Sequence, residues 1–500
     1  MISRAPDAAS AQRFDLAVLG GGIHGVCVAL QAAERGARVL LLERSDFGSG
    51  ASGNSLRVIH GGLRYLQHVD VARFRESVRE RRWYARAFPQ LLGRLSCVMP
   101  LYGEGTRRRW LMRAALTVND TLSRDRNAGV EDRLRLPPST TFGPADMRRL
   151  FSRVRPAGLQ GGAQWYDYQM RSSERILAEL LHAACAAGVR ALNYCEVQRL
   201  IVADQRIRGL EAVDRVDGRR YAFEVDRICN CTGAQARAFA AAHDRDQPQL
   251  FIPSLAFNVL LDCEPLSEHA LAVAAPEAGA PVYFLCPTPF GIWAGTEHVG
   301  RPEACHEALV SDAEVAAFLG RINRAIPRLQ LAPHNVRRVY AGLLPVHTPG
   351  GRDLTSRESF IDHGKRGGAQ GFFSLTGMKF TTARAVAARA VGRMLPHTRA
   401  RAATDAQPPR RSLSAATALL LDGEKASAMS PAEATQFIRE TAAAESVVHA
   451  EDFFLRRTNW VFSAAHPEAL ERLVASALRA PAAARSGDCA VAAVHDGRRQ

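Results

Sequence analysis

Gly20-Gly21-Gly22-Ile23-His24-Gly25 separates a short apolar run from a helical pattern, and Glu43 closes the apolar run that follows. Phe14 to Leu19 reads as a buried strand, His24 to Arg35 as a helix and Ala37 to Leu42 as a second strand. That order is the βαβ context a dinucleotide site requires. Gly20 permits the tight turn, Gly22 lets the backbone approach a pyrophosphate, and Gly25 lets helix and strand pack closely. The helix N-terminus then faces the phosphates with unpaired N–H groups and the positive end of its dipole. Glu43 is placed to accept hydrogen bonds from an adenosine ribose, which favours FAD or NAD over NADP.

Working outward, 500 residues with 47% hydrophobic content are enough for two or three domains. No run approaches the ~18 apolar residues of a membrane span, and the N-terminus enters the first strand without a secretory pattern, so a cytoplasmic location is expected. Ten cysteines without CxxC pairs give no support to a metal site or a disulfide framework. The net charge of +15 is carried by arginine, Lys365, Lys379 and Lys425 being the only lysines. With no nucleic-acid module present, that charge points to an anionic substrate or lipid surface rather than to nucleic acid.

The stretch Phe47 to Ser55 is rich in glycine and serine, with Ser49 and Ser55 as cofactor candidates, and Asp70 to Phe88 reads as a charged amphipathic helix. Residues 104 to 126 combine Arg107, Arg108, Arg109 and Arg113 with Trp110, Leu111, Met112 and Leu116. Such a segment suits either an anionic bilayer or a solvated helix with a packed underside. A long helix within Tyr166 to Gly188 and strands at Arg190 to Glu196 and Glu224 to Asn230 lead to Cys231-Thr232-Gly233-Ala234, a small-residue strand end suited to passing a dinucleotide. Ser254 to Leu261 and Val282 to Thr296 read as strands of a substrate-covering sheet. Phe372 to Thr382 repeats the logic of strand, glycine turn and helix start.

Ile59-His60-Gly61-Gly62-Leu63-Arg64-Tyr65-Leu66, Gly377-Met378-Lys379-Phe380-Thr381-Thr382 and Ser356-Arg357-Glu358 together resemble the FAD-dependent glycerol-3-phosphate dehydrogenases, within the wider D-amino-acid-oxidase-like flavoproteins. The resemblance runs from Phe14 to Arg384, with an echo in Glu451 to Thr458. It implies an α/β fold: a Rossmann-type FAD-binding domain (14–95, 155–240 and 350–395) interleaved with a β-rich substrate domain (96–154 and 241–349), plus a small C-terminal helical region (410–480). Residues 1–12 and 482–500 are expected to be disordered. Two positions depart from the family pattern. Leu344 stands where the resemblance implies a phosphate-holding arginine, and Phe257 where it implies a histidine.

The cofactor set expected on these grounds is Gly20, Gly22, Gly25, Glu43, Ser49, Ser55, His60, Gly61, Gly62, Thr232, Gly233, Gly377, Lys379, Phe380 and Thr381, with no metal. Lys379 is a candidate for charge beside the flavin N1–C2=O edge, Arg64 and Arg357 for gripping an anionic substrate, and His60 and Tyr65 for proton handling or positioning. The expected activity is FAD-dependent oxidation of a secondary alcohol of glycerol 3-phosphate or a related hydroxy compound, with electrons passing to a quinone or another acceptor. The alternatives are an amine or 2-hydroxy-acid oxidase of the same superfamily and a non-catalytic FAD-binding paralogue. A peripheral attachment to the inner membrane and a homodimer are left open.

Overall fold

A computed structural model describes residues 1–103, 105–277, 279–396 and 415–479. The sequence motif stands at the centre of a six-stranded sheet. Its order is Ser359–Asp362, Phe372–Thr376, Ile228–Asn230, Leu16–Leu19, Val39–Leu42 and Arg190–Leu192. All neighbours are parallel except the edge pair Ser359–Asp362 with Phe372–Thr376. Leu16–Leu19 and Val39–Leu42 are buried at every residue, as parallel strands covered on both faces must be. The crossover helix Ile23–Ala33 buries every residue but His24 and packs against helices Ser173–Ala186 and Ala383–Met394.

Two expected strands divide. Phe14 leaves the parallel sheet and pairs with Val225 in a separate four-stranded sheet, while Leu16 onward stays in the Rossmann sheet. Glu224 to Asn230 splits in the same way at Asp226–Arg227. A third sheet of nine strands forms the cover. Gly161–Met170, assigned from sequence to the FAD-binding part, pairs along its length with Leu92–Leu101 in this cover sheet, and Val58–Ile59 joins it at the edge. The covering sheet is thus built partly from chain expected in the FAD-binding part. Phe257, Val259, Leu261, Tyr283, Leu285 and Phe318 form the core beneath its outer layer.

Residues 1–12, expected to be disordered, are structured. Pro6–Ser10 is helical, Ile2 is buried, the Ile2 N–H donates to the Ala444 carbonyl at 2.8 Å, and Arg4 pairs with buried Asp214. Backbone pairing and one buried aliphatic side chain are what tie a chain terminus down. Residues 482–500 lie outside the described residues. The C-terminal helices dock through a buried ionic cluster as well as an apolar seam, in which Phe462 packs against Trp293 and Tyr340. Asp46 accepts from Arg456 Nε at 2.6 Å and from both Arg457 Nη atoms at 2.8 Å, and Glu445 pairs with Arg175. Asp452, Arg456 and Arg457 belong to the family echo seen at Glu451 to Thr458.

Candidate active site

The turn after Leu19 is held by steric necessity. Gly20 has φ = 103°, and a Cβ at Gly25 would lie 1.9 Å from the Gly20 carbonyl oxygen, so the first helical turn can seat only on glycine. A Cβ at Gly20 would in turn meet the Cys231 carbonyl at 2.5 Å, which places Thr232 and Gly233 beside the dinucleotide turn. Glu43 lies at the end of the second parallel strand and accepts N–H bonds from Gly21 (2.7 Å) and Ser45 (2.8 Å). Burial raises its pKa, and the two backbone donors oppose that rise. Ser52 was missed from sequence: its Oγ accepts the N–H of Ile23 at 2.9 Å, at the helix N-terminus. Ser49 is exposed, and Ser55 Oγ accepts instead from the Arg57 N–H at 3.2 Å. Serines in one glycine-rich loop look equivalent in sequence, and only the loop path separates them.

A second cluster assembles from three distant segments. Gly62 (φ = 83°) starts a 3₁₀ turn, Leu63–His68, that carries Arg64 and Tyr65. Lys379 Nζ sits 4.2 Å from the centre of the Tyr65 ring, a cation–π contact, and the His60 and Tyr65 rings are 6.5 Å apart. The Gly377 end of the Lys379 segment lies over the crossover helix, where a Cβ would fall 2.2 Å from His24 Nε2. Phe380 contributes its carbonyl to the Tyr84 hydroxyl at 3.2 Å, and Thr381 is buried ahead of the Ala383–Met394 helix. Burial, then repulsion from Arg64, lowers Lys379 to about 8. Burial likewise takes His60 down to about 4, against the attraction of Asp167. Asp167 and Arg81, also missed from sequence, fix this corner: Asp167 Oδ1 accepts from the Gly61 N–H and from Arg81 Nη1, both at 2.6 Å. A buried acid between Tyr166 and Tyr168 in a strand pattern was the available signal.

On the covering sheet the two departing positions, Phe257 and Leu344, face opposite sides. Phe257 faces away from the cluster, fully buried with its ring 5.5 Å from that of Phe318, so it is not the site-facing residue of its strand. Side chains alternate along a strand, and the neighbour Asn258 takes that position. Its Nδ2 donates to the Asn54 carbonyl at 3.2 Å, and its Oδ1 accepts from Thr296 at 2.7 Å. Leu344, opposite Ser254, is only partly buried and lies on this same face. Arg357 is exposed and makes no ion pair among the described residues, whereas its neighbour Glu358 pairs with Arg389. Arg357 is therefore not brought into the cluster by any contact of its own.

The chain belongs to the FAD dependent oxidoreductase family, whose model matches residues 15–394. Among its relatives, a glycerol-3-phosphate dehydrogenase of Synechocystis is 31% identical over 75% of this chain and 68% of its own length. An aerobic glycerol-3-phosphate dehydrogenase of Staphylococcus saprophyticus is 24% identical over 74% of this chain and 65% of its own. The chain thus spans about two thirds of the length of these curated relatives. The fold is shared with the glycerol-3-phosphate dehydrogenase of Bacillus halodurans complexed with FAD, at a TM-score of 0.65 and 18% identity, covering 95% of this chain and 92% of that one.

FAD is the cofactor, and the residues fit it. The Gly20–Gly25 turn leaves a side-chain-free backbone at a helix N-terminus for a pyrophosphate, and Glu43 sits at the strand end suited to a ribose. Among the described residues no cluster of His, Cys, Asp or Glu is arranged to hold a metal.

Proposed function

We propose that the protein oxidises the secondary alcohol of glycerol 3-phosphate or a closely related phosphomonoester, with electrons leaving to a quinone or another acceptor. The observation that carries this reading is the meeting of Lys379 with the His60–Leu66 segment, which puts the chain's one half-buried lysine beside Tyr65, His60 and Arg64. FAD, when bound, supplies the two-electron acceptor at its N5. Lys379 provides positive charge where negative charge develops, in a site whose burial strengthens that interaction. Arg64 attracts the anionic end of the substrate, and His60, neutral at pH 7, orients its hydroxyl. Thr232, Gly233, Gly377, Phe380 and Thr381 line the backbone path for the cofactor between the two clusters.

The test is anaerobic addition of glycerol 3-phosphate to the purified holoenzyme, read as loss of oxidised-flavin absorbance at roughly 450 nm. Rapid bleaching is the expected result. Flavin that stays oxidised with glycerol 3-phosphate but is reduced by an amino acid or 2-hydroxy acid, with hydrogen peroxide release in air, would replace this reading with the oxidase alternative. The neutral Leu344 and Asn258 on the covering face favour that alternative as the second reading.

Replacing Lys379 with Met is expected to slow flavin reduction roughly tenfold to a hundredfold by removing one electrostatic stabiliser. Because the Lys379 ammonium is the protonated form of a group lowered to about 8, its charge is present below that pH and lost above it. Flavin reduction by the wild type should therefore fall as pH rises through about 8. Lys379→Arg, charged throughout, should remove that limb of the profile in stopped-flow measurements from pH 6 to 10.

Peripheral membrane attachment is part of this proposal. Helix Arg109–Leu122 buries Met112 and Leu116, while Trp110 is 67% exposed beside an open groove of about 620 Å³ lined by Arg108, Arg109, Trp110 and Arg113. An exposed indole among arginines suits an anionic headgroup layer. Among the described residues no helix is long and apolar enough to cross a membrane. The protein is expected to co-sediment with phosphatidylglycerol vesicles at low salt, and Trp110→Ala with Arg109→Glu is expected to abolish it. Wild-type protein that stays in the supernatant would remove this part.

A further inference from the structure

Leu344 takes a cation away from the covering face, yet two other basic side chains, His298 and Arg352, stand near it outside the family segments, across from Arg64 of the His60–Leu66 segment. In strand Gly291–Gly300, Glu297 turns to the outer core, where its carboxylate accepts from the Tyr283 hydroxyl (2.6 Å) and Arg321 (2.9 Å). Alternation therefore directs Thr296 and His298 to the inner face, and Thr296 confirms the direction through its bond to Asn258. His298 pairs with Ala256 and Ala256 with Gly342, so His298 and Leu344 lie on one face, two strands apart and one row out of step. Gly342 on that face stands against Ala51 of the glycine- and serine-rich loop, so the face is turned toward the FAD-binding side. The Nδ1 of His298 is buried and has no hydrogen-bond partner. A buried polar atom without a partner is costly, and a ligand is one way to satisfy it.

Beyond Leu344 the chain doubles back. Val346 bridges to Leu354, the His347 N–H reaches the Asp353 carbonyl at 3.3 Å, and Gly350 packs against Gly300, two residues past His298. The returning limb brings Thr355 Oγ1 to 3.3 Å from Met378 Sδ, next to Lys379. This hairpin thus joins the His298 strand to the Lys379 segment and carries Arg352, which is exposed and has no ion-pair partner among the described residues. Arg64 is likewise exposed and unpaired there. Burial lowers His298, and Arg64 and Arg352 lie within electrostatic reach and act in the same direction; the acid that opposes them, Glu297, is already balanced by Arg321 on the other face.

We infer that Arg352 and His298, with Arg64, form the subsite for the phosphate group of the substrate, replacing across the sheet the cation that Leu344 lacks. This rests on the substrate class proposed above. Arg352 is a donor fork matched to phosphate oxygens, and His298 Nδ1–H supplies the inner donor. Arg352 and His298 are binding residues and make no covalent step.

The test uses holoenzyme in three forms: wild type, Arg352→Ala and His298→Ala. Each is mixed anaerobically with glycerol 3-phosphate, and inorganic phosphate is titrated separately as a dead-end ligand read by the shift of the flavin spectrum. The expected result is at least a tenfold rise in the half-saturating concentration of glycerol 3-phosphate in each variant. The limiting rate should change less than threefold, the phosphate response should weaken in parallel, and Arg352→Lys should restore part of the affinity. Thermal melts and unliganded flavin spectra matching wild type separate this from misfolding. Reduction by glycerol 3-phosphate with wild-type half-saturation in both variants overturns the subsite and leaves the proposed activity standing. Phosphate binding that depends on Arg352 without any reduction by glycerol 3-phosphate does the reverse. Tighter saturation by lactate than by glycerol 3-phosphate, still dependent on Arg352, overturns the phosphate assignment in favour of a carboxylate. A wild type that responds to neither glycerol 3-phosphate nor phosphate overturns both.

Discussion

Gly25→Ala is expected to abolish FAD binding. The added Cβ would stand 1.9 Å from the Gly20 carbonyl oxygen, a backbone atom that cannot rotate away, and Gly20 is itself confined by the Cys231 carbonyl behind it. Relief requires the crossover helix to move off the strand. That movement displaces the N-terminal N–H groups from the pyrophosphate and opens the layer formed by Val26, Val28 and Leu16. Overpacking of this kind costs about 1–3 kcal/mol before any lost cofactor contact is counted. With charge-assisted phosphate contacts at about 1.5–3 kcal/mol each, an affinity loss of roughly a hundredfold or more follows. Isothermal titration of apoprotein with FAD measures it directly. A variant that binds FAD within tenfold of wild type would show that the turn is not the pyrophosphate seat. Gly36→Ala is the control, since nothing lies within 4 Å of a Cβ there; its φ of +87° adds local strain, away from the phosphate turn.

Asp46→Ala is expected to be the most destabilising single change at the C-terminal junction. Asp46 is fully buried and faces Arg457, itself 3% exposed, with Arg456 as a third partner and Asn193 Nδ2 donating at 3.1 Å. Burial pushes the Asp46 carboxyl up, but the charges and hydrogen bonds of Arg457 and Arg456 pull it below the ordinary carboxylate range. Removing the acid leaves buried Arg457 with only the longer pair to Glu445 at 3.4 Å, while Arg456 keeps Asp452, a loss of about 3–5 kcal/mol for breaking a buried pair. Asp46 is three residues beyond Glu43, and the Tyr194 N–H holds the Ser45 carbonyl between them at 2.9 Å, so loosening this corner reaches Glu43. Denaturant unfolding of the holoprotein should show the loss. The double variant Asp46→Leu with Arg457→Met should recover much of it, because a matched apolar pair leaves no charge unpaired. Breaking the half-exposed pairs of Arg389 with Glu76 and Glu358 through Arg389→Ala should cost about 1 kcal/mol or less. An equal loss at both sites would mean that the Asp46 cluster is not the anchor.

Much of the dinucleotide half was legible in the chain because its signals are local. A glycine is demanded by a neighbour five residues away, a helix follows its strand at once, and Glu43 ends the next strand. The flavin-side segments were legible for a different reason: His60 to Leu66 and Gly377 to Thr382 resemble a family, and their contact across more than three hundred residues, Lys379 over Tyr65, could be expected only through that resemblance. On the substrate side the sequence is hardest to read where a strand's phase matters. Phe257 and Asn258 are adjacent letters, and a shift of one residue turns a side chain from one face of a sheet to the other. The irregularity between Phe257 and Val259 in the pairing with Gly291–Gly300 makes that phase harder still to read from an alternating pattern.

By itself, then, the sequence determined a Rossmann-type turn built on Gly20 and Gly25 with Glu43 at the next strand end, and through its family segments FAD, because short-range sterics and hydrogen bonding leave those positions little choice. Only the tertiary structure decided that Ser52 caps the crossover helix, that Asn258, Thr296 and His298 face inward, that Arg352 is carried back across the sheet by a hairpin, and that Asp46 is clamped by Arg456 and Arg457. Each of these depends on where distant backbone segments come to rest, which is set by long-range packing and pairing that no window of residues encodes.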